Sequence, residues 1–328
     1  MSMTMRYVAY DRAQPERALC VENIEKPTPG DEQLLIKVAA FGVNRADLLQ
    51  RQGKYPPPAG ESHILGLEVS GEIVAAGKAA NDWVIGDRVC GIVAGGGYAE
   101  YAVLDSKQAI PIPMGMDIRI AAGLPEVFLT AYQALFTLAK LKSNERVLIH
   151  AGASGVGLAA IQLARRNGCE VAVTASNDEK LEQCMHAGAK HLINYNYHDF
   201  AIRLKQLGWR PDVIVDVVAG DYVQRNVDIL ALDGRMVYLA MLGGRNANLD
   251  MAKVLAKRIT LVGSTLRNRS ADYKRALVTA FCADCHLAFD NGQLSVPVDS
   301  ILPVAEVNVA HNKLSQNQSK GKFILYWD

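Results

Sequence analysis

The chain has 328 residues, half of them hydrophobic, and a formal net charge of +1. This length suggests about two domains with sizeable cores. Because basic and acidic residues balance and form no long run of one sign, we expect neither nucleic acid nor an anionic membrane as partner. No apolar run reaches the ~18 residues of a membrane span, and the first residues lack the apolar core of a signal peptide. We therefore expect a cytoplasmic protein.

The first third of the chain predicts a small β-barrel-like domain. Short apolar or alternating segments are separated by turns rich in glycine and proline, a pattern typical of small antiparallel folds. The strands are expected at residues 6–10, 33–41, 66–76, 89–93 and 98–103. This domain is predicted to end near residue 125.

Strands and helices alternate after this point, which predicts an α/β fold with a doubly wound parallel sheet. The expected strands are 147–150, 171–174, 191–194, 213–218, 234–239 and 259–264. The expected helices are 129–139, 156–167, 178–187, 200–207 and 222–230. The tail (helices 271–288 and 304–314, strands 300–302 and 321–326) is too small for a core of its own. We therefore predict domains at 1–125, completed by 268–328, and at 126–267.

Residues 145–176 contain the most informative motif, in which an apolar strand leads into a glycine-rich turn, a helix and a second strand. Gly152-Ala-Ser-Gly155-Val-Gly157 has the spacing G-x-x-G-x-G. Small residues let the backbone turn tightly and approach a pyrophosphate. The free N–H groups at the start of the following helix then face that phosphate. The alternative is an ordinary glycine-rich turn, but its place between strand and helix favours dinucleotide binding.

The end of the second strand bears on the choice of cofactor. In NAD-specific folds an acidic residue about 20 residues past the turn binds the ribose 2′-hydroxyl. Here Ala175, Ser176 and Asn177 follow the strand, and Lys180 comes shortly after. Ser176 and Lys180 would attract a 2′-phosphate that a carboxylate would repel, which favours NADPH. The alternative is that Lys180 is only a solvated charge on a helix.

The six cysteines give no metal-binding pattern. Cys282-Ala-Asp-Cys285-His286 matches C-x-x-C-H, the attachment motif of c-type haem. Haem attachment requires export, and the segment is predicted to be helical. We therefore interpret these cysteines as helix residues, a redox pair or adventitious thiols.

Several short segments along the chain, taken in their order and spacing, carry a family resemblance. They are Val43–Asp47, Gln50–Gly53 with Tyr55-Pro56, Gly66–Gly71, Gly86–Val89, Leu129–Tyr132, His150–Gly157, Ala231–Arg235 and Gly321–Ile324. Over its whole length the chain resembles the medium-chain dehydrogenase/reductase superfamily, and more closely the zeta-crystallin-type NADPH:quinone oxidoreductases. The resemblance implies a GroES-like catalytic domain, a Rossmann cofactor domain, a cleft between them and a homodimer formed through sheet edges.

One departure separates the chain from the zinc-dependent alcohol dehydrogenases of this superfamily. Those enzymes have a cysteine and a histidine ligand where this sequence has Asn44 and Leu67, and they also contain four clustered cysteines that are missing here. Catalytic zinc requires three protein ligands around an open position. We therefore predict a metal-free reaction, which suits quinones because they accept hydride without Lewis-acid help.

The candidate catalytic residues are Asn44, Asp47 and Tyr55. Asn44 and Asp47 are expected to hold the cofactor ribose or carboxamide; the alternative is that they cap the following helix. Tyr55 offers an aromatic face and a hydroxyl to a flat quinone. No dedicated general acid is evident. Solvent is then the expected source of the proton for the reduced quinone.

The candidate cofactor-binding residues lie mostly in the second domain. The glycine turn is expected to bind the pyrophosphate. The 2′-phosphate is expected to contact Ser176, Lys180 and Tyr195. The nicotinamide is expected to lie near Thr130 and two later loops. In full they are Thr130, Gly152, Ser154, Gly155, Val156, Ser176, Lys180, Tyr195, Met241, Leu242, Gly243, Ser264, Thr265 and Leu266.

The sequence therefore predicts hydride transfer from NADPH to a small quinone. One alternative is an enoyl or enone reductase, because the fold does not fix the substrate. Another is a non-catalytic role, since relatives serve as abundant lens protein or bind RNA. The near-neutral charge argues against RNA binding.

Overall fold

The computed structural model describes residues 3–328. They form two compact units by their internal contacts. The first contains the described residues up to Leu129 together with Leu266–Asp328, and the second is Thr130–Thr265.

The first unit is built mainly from short strands. Its amino-terminal part contains β1 (Thr4–Ala9), β2 (Cys20–Glu25), β3 (Gln33–Val43), α1 (Arg45–Arg51), β4 (Glu68–Ala76), β5 (Arg88–Ile92), β6 (Tyr101–Asp105), β7 (Ala109–Pro111), α2 (Ile118–Ala121) and α3 (Pro125–Tyr132).

The second unit alternates strands and helices. It contains β8 (Arg146–Ile149), α4 (Gly155–Arg166), β9 (Glu170–Ala175), α5 (Asp178–Ala187), β10 (His191–Asn194), α6 (Phe200–Gln206), β11 (Val213–Asp216), α7 (Tyr222–Ile229), β12 (Arg235–Tyr238), α8 (Met251–Lys257) and β13 (Thr260–Gly263). The chain then returns to the first unit with α9 (Ala271–Asp290), β14 (Val298–Pro303), α10 (Val307–Ser315) and β15 (Lys322–Tyr326).

The sheet of the first unit follows the order β14-β15-β3-β4-β5-β7, with β6 also paired to β3. β15 runs antiparallel to β3, so that Phe323 lies opposite Val43. The alternation along β3 places Leu34, Ile36 and Val38 in the core, because successive side chains of a strand point to opposite faces. The carboxyl-terminal segment thus adds two strands to a sheet begun by the amino-terminal segment.

The second unit has six parallel strands in the order β10-β9-β8-β11-β12-β13. This confirms the predicted doubly wound parallel sheet. The order reverses direction between β8 and β11, and in such sheets ligands bind at the carboxyl ends of the strands beside that reversal.

Three differences from the predicted elements have physical causes. β2 was not predicted, because all six of its residues are exposed and no apolar alternation marks it. α8 was not predicted, because it buries no residue. The helix expected at 129–139 begins earlier, at Pro125, and becomes a π-helix over Gln133–Leu138. Proline suits the first position of a helix because its missing N–H has no partner there.

Within residues 3–328, no helix combines the length and the apolar character needed to cross a membrane.

Candidate active site

The glycine-rich turn joins β8 to the twelve-residue helix α4 in the second unit. Ser154 caps the helix, because its hydroxyl accepts a hydrogen bond from the Gly157 N–H at 3.0 Å. Within the described part of the chain, no acceptor is recorded for the N–H groups of Gly155 and Val156. Two unpaired donors at the positive end of a helix form a binding site for a phosphate group.

Two positions of the turn require glycine, because neighbouring atoms leave no space for a Cβ atom there. A Cβ on Gly157 would lie 2.5 Å from the carbonyl oxygen of Gly152 and 2.6 Å from that of Ala151. A Cβ on Gly152 would lie 2.8 Å from the Val173 side chain on β9. The turn is therefore packed so closely on its own backbone and on β9 that a side chain at either position would push it open.

Most of the predicted cofactor residues follow the carboxyl ends of parallel strands. Ser176 follows β9, Tyr195 follows β10 and Met241 follows β12. These loops lie at one edge of the sheet because the strands are parallel. The structure therefore brings the glycine turn and the following predicted residues to the same edge: Ser176, Lys180, Tyr195, Met241, Leu242, Gly243, Ser264 and Thr265.

The loops after β9 and β10 are joined to one another. The Tyr195 N–H donates to the carbonyl of Ala175 at 3.1 Å, and the Asn196 side chain donates to the carbonyl of Ser176 at 2.7 Å. Asn177 caps α5 by accepting from the Lys180 N–H at 2.9 Å. These contacts place Ser176 and Tyr195 in adjoining loops and Lys180 in the first turn of α5. Tyr195 is 43% exposed and so has room to cover a ligand.

An acidic residue, Asp178, lies next to the predicted 2′-phosphate site and was not among the predicted site residues. Asp178 opens α5, and its carboxylate accepts a hydrogen bond from the Asn194 side chain at 2.9 Å. Asp178 is therefore held by a neighbour on β10. Its position in the first turn of the helix was visible in the sequence, but the partner that orients it was not.

The loops after β11 and β12 are shaped by a buried carboxylate. Asp216 accepts from the N–H groups of Val218 at 2.6 Å and Ala219 at 3.0 Å. The Gly243 N–H then donates to the Val218 carbonyl at 2.7 Å. This holds Met241 and Leu242, which are exposed by 54% and 53%, at the edge where the glycine turn lies.

A buried histidine joins this arrangement and was not predicted as functional. His150 Nε2 donates to the Asn226 amide oxygen at 2.8 Å, and the amide nitrogen of Asn226 donates to Asp216 at 3.0 Å. Burial lowers the pKa of His150, so that it stays neutral. The network links β8, β11 and α7 and fixes the loop after β11.

The predicted nicotinamide-side residues are divided between the two units. Ser264 donates to the Gln133 side chain at 2.9 Å, and the Thr265 carbonyl accepts from the same side chain at 3.4 Å. Thr130 is half-buried at the start of the second unit. Leu266 belongs to the first unit, where it is buried.

Asn44 and Asp47 lie at the start of α1 in the first unit. Asn44 occupies the cap position of α1 and forms a capping box with Asp47. The Asn44 amide also donates to Glu68 at 3.0 Å and accepts from Lys322. The Asp47 carboxylate accepts from the Asn44 N–H at 2.8 Å. The Asn44 side chain is therefore also held by groups on β4 and β15.

Asp47 is fully buried within a chain of hydrogen bonds. Its carboxylate accepts from the Tyr98 hydroxyl at 3.0 Å, and that hydroxyl also lies 3.0 Å from His311 Nε2. Arg51 lies 3.1 Å from His311 Nδ1 and can only donate, which assigns the imidazole proton to Nε2. Burial raises the pKa of Asp47 to about 6, and its hydrogen bonds oppose this shift.

A buried ion pair joins β4 to β15 beside Asn44. The Lys322 ammonium contacts the Glu68 carboxylate, and their side chains are 3% and 0% exposed. The other oxygen of Glu68 accepts from the Glu126 N–H at 2.8 Å. Gly42 leaves the space for this pair, because a Cβ there would overlap Glu68 and crowd Lys322. The sequence prediction missed the pair, although a lysine within a buried terminal strand was a signal.

Tyr55 is half-buried and lies beside Arg267. The guanidinium carbon is 5.4 Å from the centre of the Tyr55 ring, and its Nη1 donates to the Tyr55 carbonyl at 3.2 Å. Arg267 is held in turn by Gln50 at 2.7 Å. Burial raises the pKa of the Tyr55 hydroxyl, and Arg267 opposes this shift.

A small cavity of about 10 Å³ opens beside these residues, enough for about one water molecule. Its polar wall is formed by Glu126, Arg267 and Lys274. The apolar wall consists of Leu67, Ile92, Val93, Ala94 and Leu266. Within the described residues, no group of three or more His, Cys, Asp or Glu side chains is arranged to hold a metal ion.

The second unit, a parallel sheet with a glycine-rich turn before a helix, has the architecture of dinucleotide-binding domains. The family model described as "Alcohol dehydrogenase GroES-like domain" matches residues 30–114, and the one described as "Zinc-binding dehydrogenase" matches residues 155–281. The chain belongs to the medium-chain dehydrogenase/reductase superfamily of nicotinamide-nucleotide-dependent oxidoreductases. The predicted fold class is confirmed.

Particular relatives refine this placement. The chain is 30% identical to human "Quinone oxidoreductase", over 95% of this chain and 94% of that protein. The solved structure of mycobacterial Rv1454c complexed with NADPH is 28% identical, covers 98% and 99% of the two chains and has a TM-score of 0.86. The JamJ enoyl reductase structure is 26% identical, covers both chains completely and has a TM-score of 0.86.

Proposed function

We propose that this protein is an NADPH-dependent quinone oxidoreductase. Bound NADPH would supply a hydride equivalent for the reduction of a small quinone. The observation that carries the proposal is the glycine turn with its unpaired Gly155 and Val156 N–H groups, in a chain similar along its length to human quinone oxidoreductase. The N–H groups would bind the pyrophosphate, and Ser154 would fix the start of α4.

The preference for NADPH rests on the loops after β9 and β10. Ser176, Lys180 and Tyr195 would enclose the 2′-phosphate, and Asp178 is held toward Asn194 by its hydrogen bond. An ammonium group paired with a phosphate makes strong charge-assisted hydrogen bonds. The similarity to a structure solved with NADPH supports the same choice.

The proposal that the reaction needs no zinc rests on the side chains at the two positions where zinc-dependent relatives have metal ligands. Asn44 uses its side chain on Glu68 and Lys322, and Leu67 has no donor atom. An ammonium group beside Glu68 supplies a fixed positive charge close to Asn44. Asn44 and Asp47 would orient the cofactor ribose or carboxamide, and Tyr55 would offer its ring and hydroxyl to the quinone.

A substrate panel tests this function. Purified protein treated with a chelator is given NADPH and either an ortho-quinone or an α,β-unsaturated ketone, and both cofactor oxidation and product are measured. We expect hydroquinone to form at the same rate with and without the chelator. Loss of turnover with the chelator and its recovery with zinc would contradict the prediction of a metal-free reaction.

Enoyl or enone reduction is the second candidate. It is favoured by the similarity of the whole chain to the JamJ enoyl reductase structure. Saturation of the enone carbon–carbon double bond at a higher kcat/KM than quinone reduction would select this function.

We also propose a cytoplasmic homodimer. Six free cysteines suit a reducing compartment. β13 is an edge strand of its sheet, and the neighbouring α8 exposes Met251 by 64% and Leu255 by 80%. An exposed strand edge and apolar side chains are features of an interface. Sedimentation of the wild type as a dimer, and of Leu255→Glu as a monomer, is the expected result; a monomeric wild type would refute it.

A further inference from the structure

The proposed reduction needs a proton source that the sequence did not reveal. A hydride adds two electrons and one hydrogen to the acceptor, and a neutral hydroquinone or saturated ketone requires one proton more. The first unit has polar groups around Tyr55 and in the wall of its cavity that could hold such a proton.

Glu126 is the acidic side chain in the wall of that cavity. It lies in the first turn of α3, and its N–H donates to Glu68 at 2.8 Å. Among residues 3–328 its carboxylate makes no hydrogen bond. The carboxylates of Glu68 and Asp47, in contrast, each have several partners. Glu126 is therefore the acid of this cluster whose oxygen atoms are not committed to holding the structure.

The charges around Glu126 come from five elements or loops. Glu68 on β4 and Asp47 on α1 are negative, while Lys322 on β15 and Arg267 after β13 are positive. Lys274 on α9 shares the cavity wall, and Tyr55 is close enough to be influenced by the Glu126 charge. Burial is the main cause that raises the pKa of Glu126 to about 7. The negative charges of Glu68 and Asp47 add to this shift, and Lys322 and Arg267 oppose it.

We propose that the Glu126 carboxyl group is the proton donor for the reduction. The proton leaves one of its two carboxyl oxygens and reaches the acceptor through the cavity that Glu126 lines. The inference rests on the proposed reductase function. The carboxyl O–H bond breaks, the proton completes the reduced acceptor, and the carboxylate that remains takes a proton from solvent before the next turnover. Arg267 contacts Tyr55 and shares the cavity wall with Glu126, so that it links the donor to the predicted substrate side.

Infrared spectroscopy of the protein alone tests whether Glu126 holds this proton. Spectra are recorded as the pH is raised, without cofactor or substrate, for the wild type, Glu126→Gln and a control, Glu25→Gln, which changes an exposed residue of β2. We expect a protonated-carboxyl carbonyl band that disappears through about pH 7 in the wild type and in the control. The band should be missing in Glu126→Gln. A titration that is unchanged in Glu126→Gln would overturn the proposal. Asp47 should give a separate carbonyl band that disappears through about pH 6, and the loss of that band in Asp47→Asn identifies it.

Kinetics test whether the proton is used. A positioned acid contributes roughly 10²–10⁴-fold to a rate, so Glu126→Gln should lower kcat by about 10²-fold or more and abolish the fall of kcat/KM above about pH 7. Glu126→Asp should recover part of the activity and the pH dependence, which also guards against misfolding of the first variant. A wild-type pH profile in Glu126→Gln would contradict the proposal.

Failure of the proposed function gives a different result. In that case the wild type turns over no quinone or enone, although the carboxyl band of Glu126 still titrates. Glu126 would then hold a proton without serving this reaction, and its role as donor would be overturned together with the function.

Discussion

Replacement of Lys322 by methionine should destabilise the first unit strongly. Lys322 and Glu68 are 3% and 0% exposed, so that Lys322→Met leaves a carboxylate buried without its counter-ion. Breaking a buried pair from one side costs about 3–5 kcal/mol. The Asn44 side chain also loses its donor from Lys322, so the expected loss in free energy of unfolding lies in the upper part of that range.

The exposed pair Lys253–Asp228 is the matched control. Its ammonium and carboxylate are also in contact, at 2.7 Å, but the lysine side chain is 47% exposed. Exposed pairs contribute about 0–1 kcal/mol. Lys253→Met should therefore change the free energy of unfolding far less than Lys322→Met does.

The assay is urea unfolding followed by tryptophan fluorescence of the natural tryptophans. Trp83 and Trp327 belong to the first unit, which contains the Lys322 pair, and Trp209 belongs to the second unit, which contains the Lys253 control, so that the signal reports on both units. The double variant Glu68→Gln/Lys322→Met removes both charges and should recover more than half of the loss. A loss of stability in Lys322→Met no larger than in the Lys253→Met control would contradict a stabilising buried ion pair. A double variant whose loss equals the sum of its two single changes would contradict it as well.

Three further predictions concern helix capping, cofactor choice and pH. Ser154→Ala removes the cap of α4 and should cost about 1 kcal/mol of stability, against a few tenths for Ser154→Gly; equal losses in urea unfolding would contradict the capping role. Lys180→Ala should raise KM for NADPH by about tenfold and leave KM for NADH unchanged, since a bond to a charged group contributes about 1.5–3 kcal/mol. The exposed Lys205→Ala is its control, and an equal change for both cofactors would count against a phosphate contact. Burial raises the folded-state pKa of Asp47 from 3.8 to about 6, so its contribution to stability is present below about pH 4 and is lost as the pH rises through 6. Asp47→Asn should flatten that part of the stability curve, and an unchanged slope would contradict the assignment.

Local signals in the sequence predicted much of the second unit. α5 was predicted with the bounds it has, because Asn177 marks its start and Gly188, which has a positive φ of 117°, marks its end. The glycine turn was predicted for a similar reason, since a strand, small residues and a helix follow one another along the chain. These features depend on neighbours in sequence, which a single chain displays directly.

The arrangement of the first unit depends on distant residues and was less predictable. The sequence predicts a cofactor role for Asn44, with capping as the alternative. It gives no sign that the Asn44 side chain binds Glu68 and, near the other end of the chain, Lys322. Glu126 gave no signal, because only the folded unit places its carboxyl group at a cavity beside Glu68 and Arg267. β2 was not predicted because all its residues are exposed, and the alternation of apolar and polar residues that marks a strand arises from burial of one face.

Reduction of quinones by NADPH is tested most directly by product analysis of a single reaction that contains chelator-treated protein, NADPH, a quinone and an enone in equal amounts. We expect hydroquinone as the main product, formed in step with NADPH oxidation. Saturated ketone as the main product, or no oxidation of NADPH by either acceptor, would contradict the proposed function.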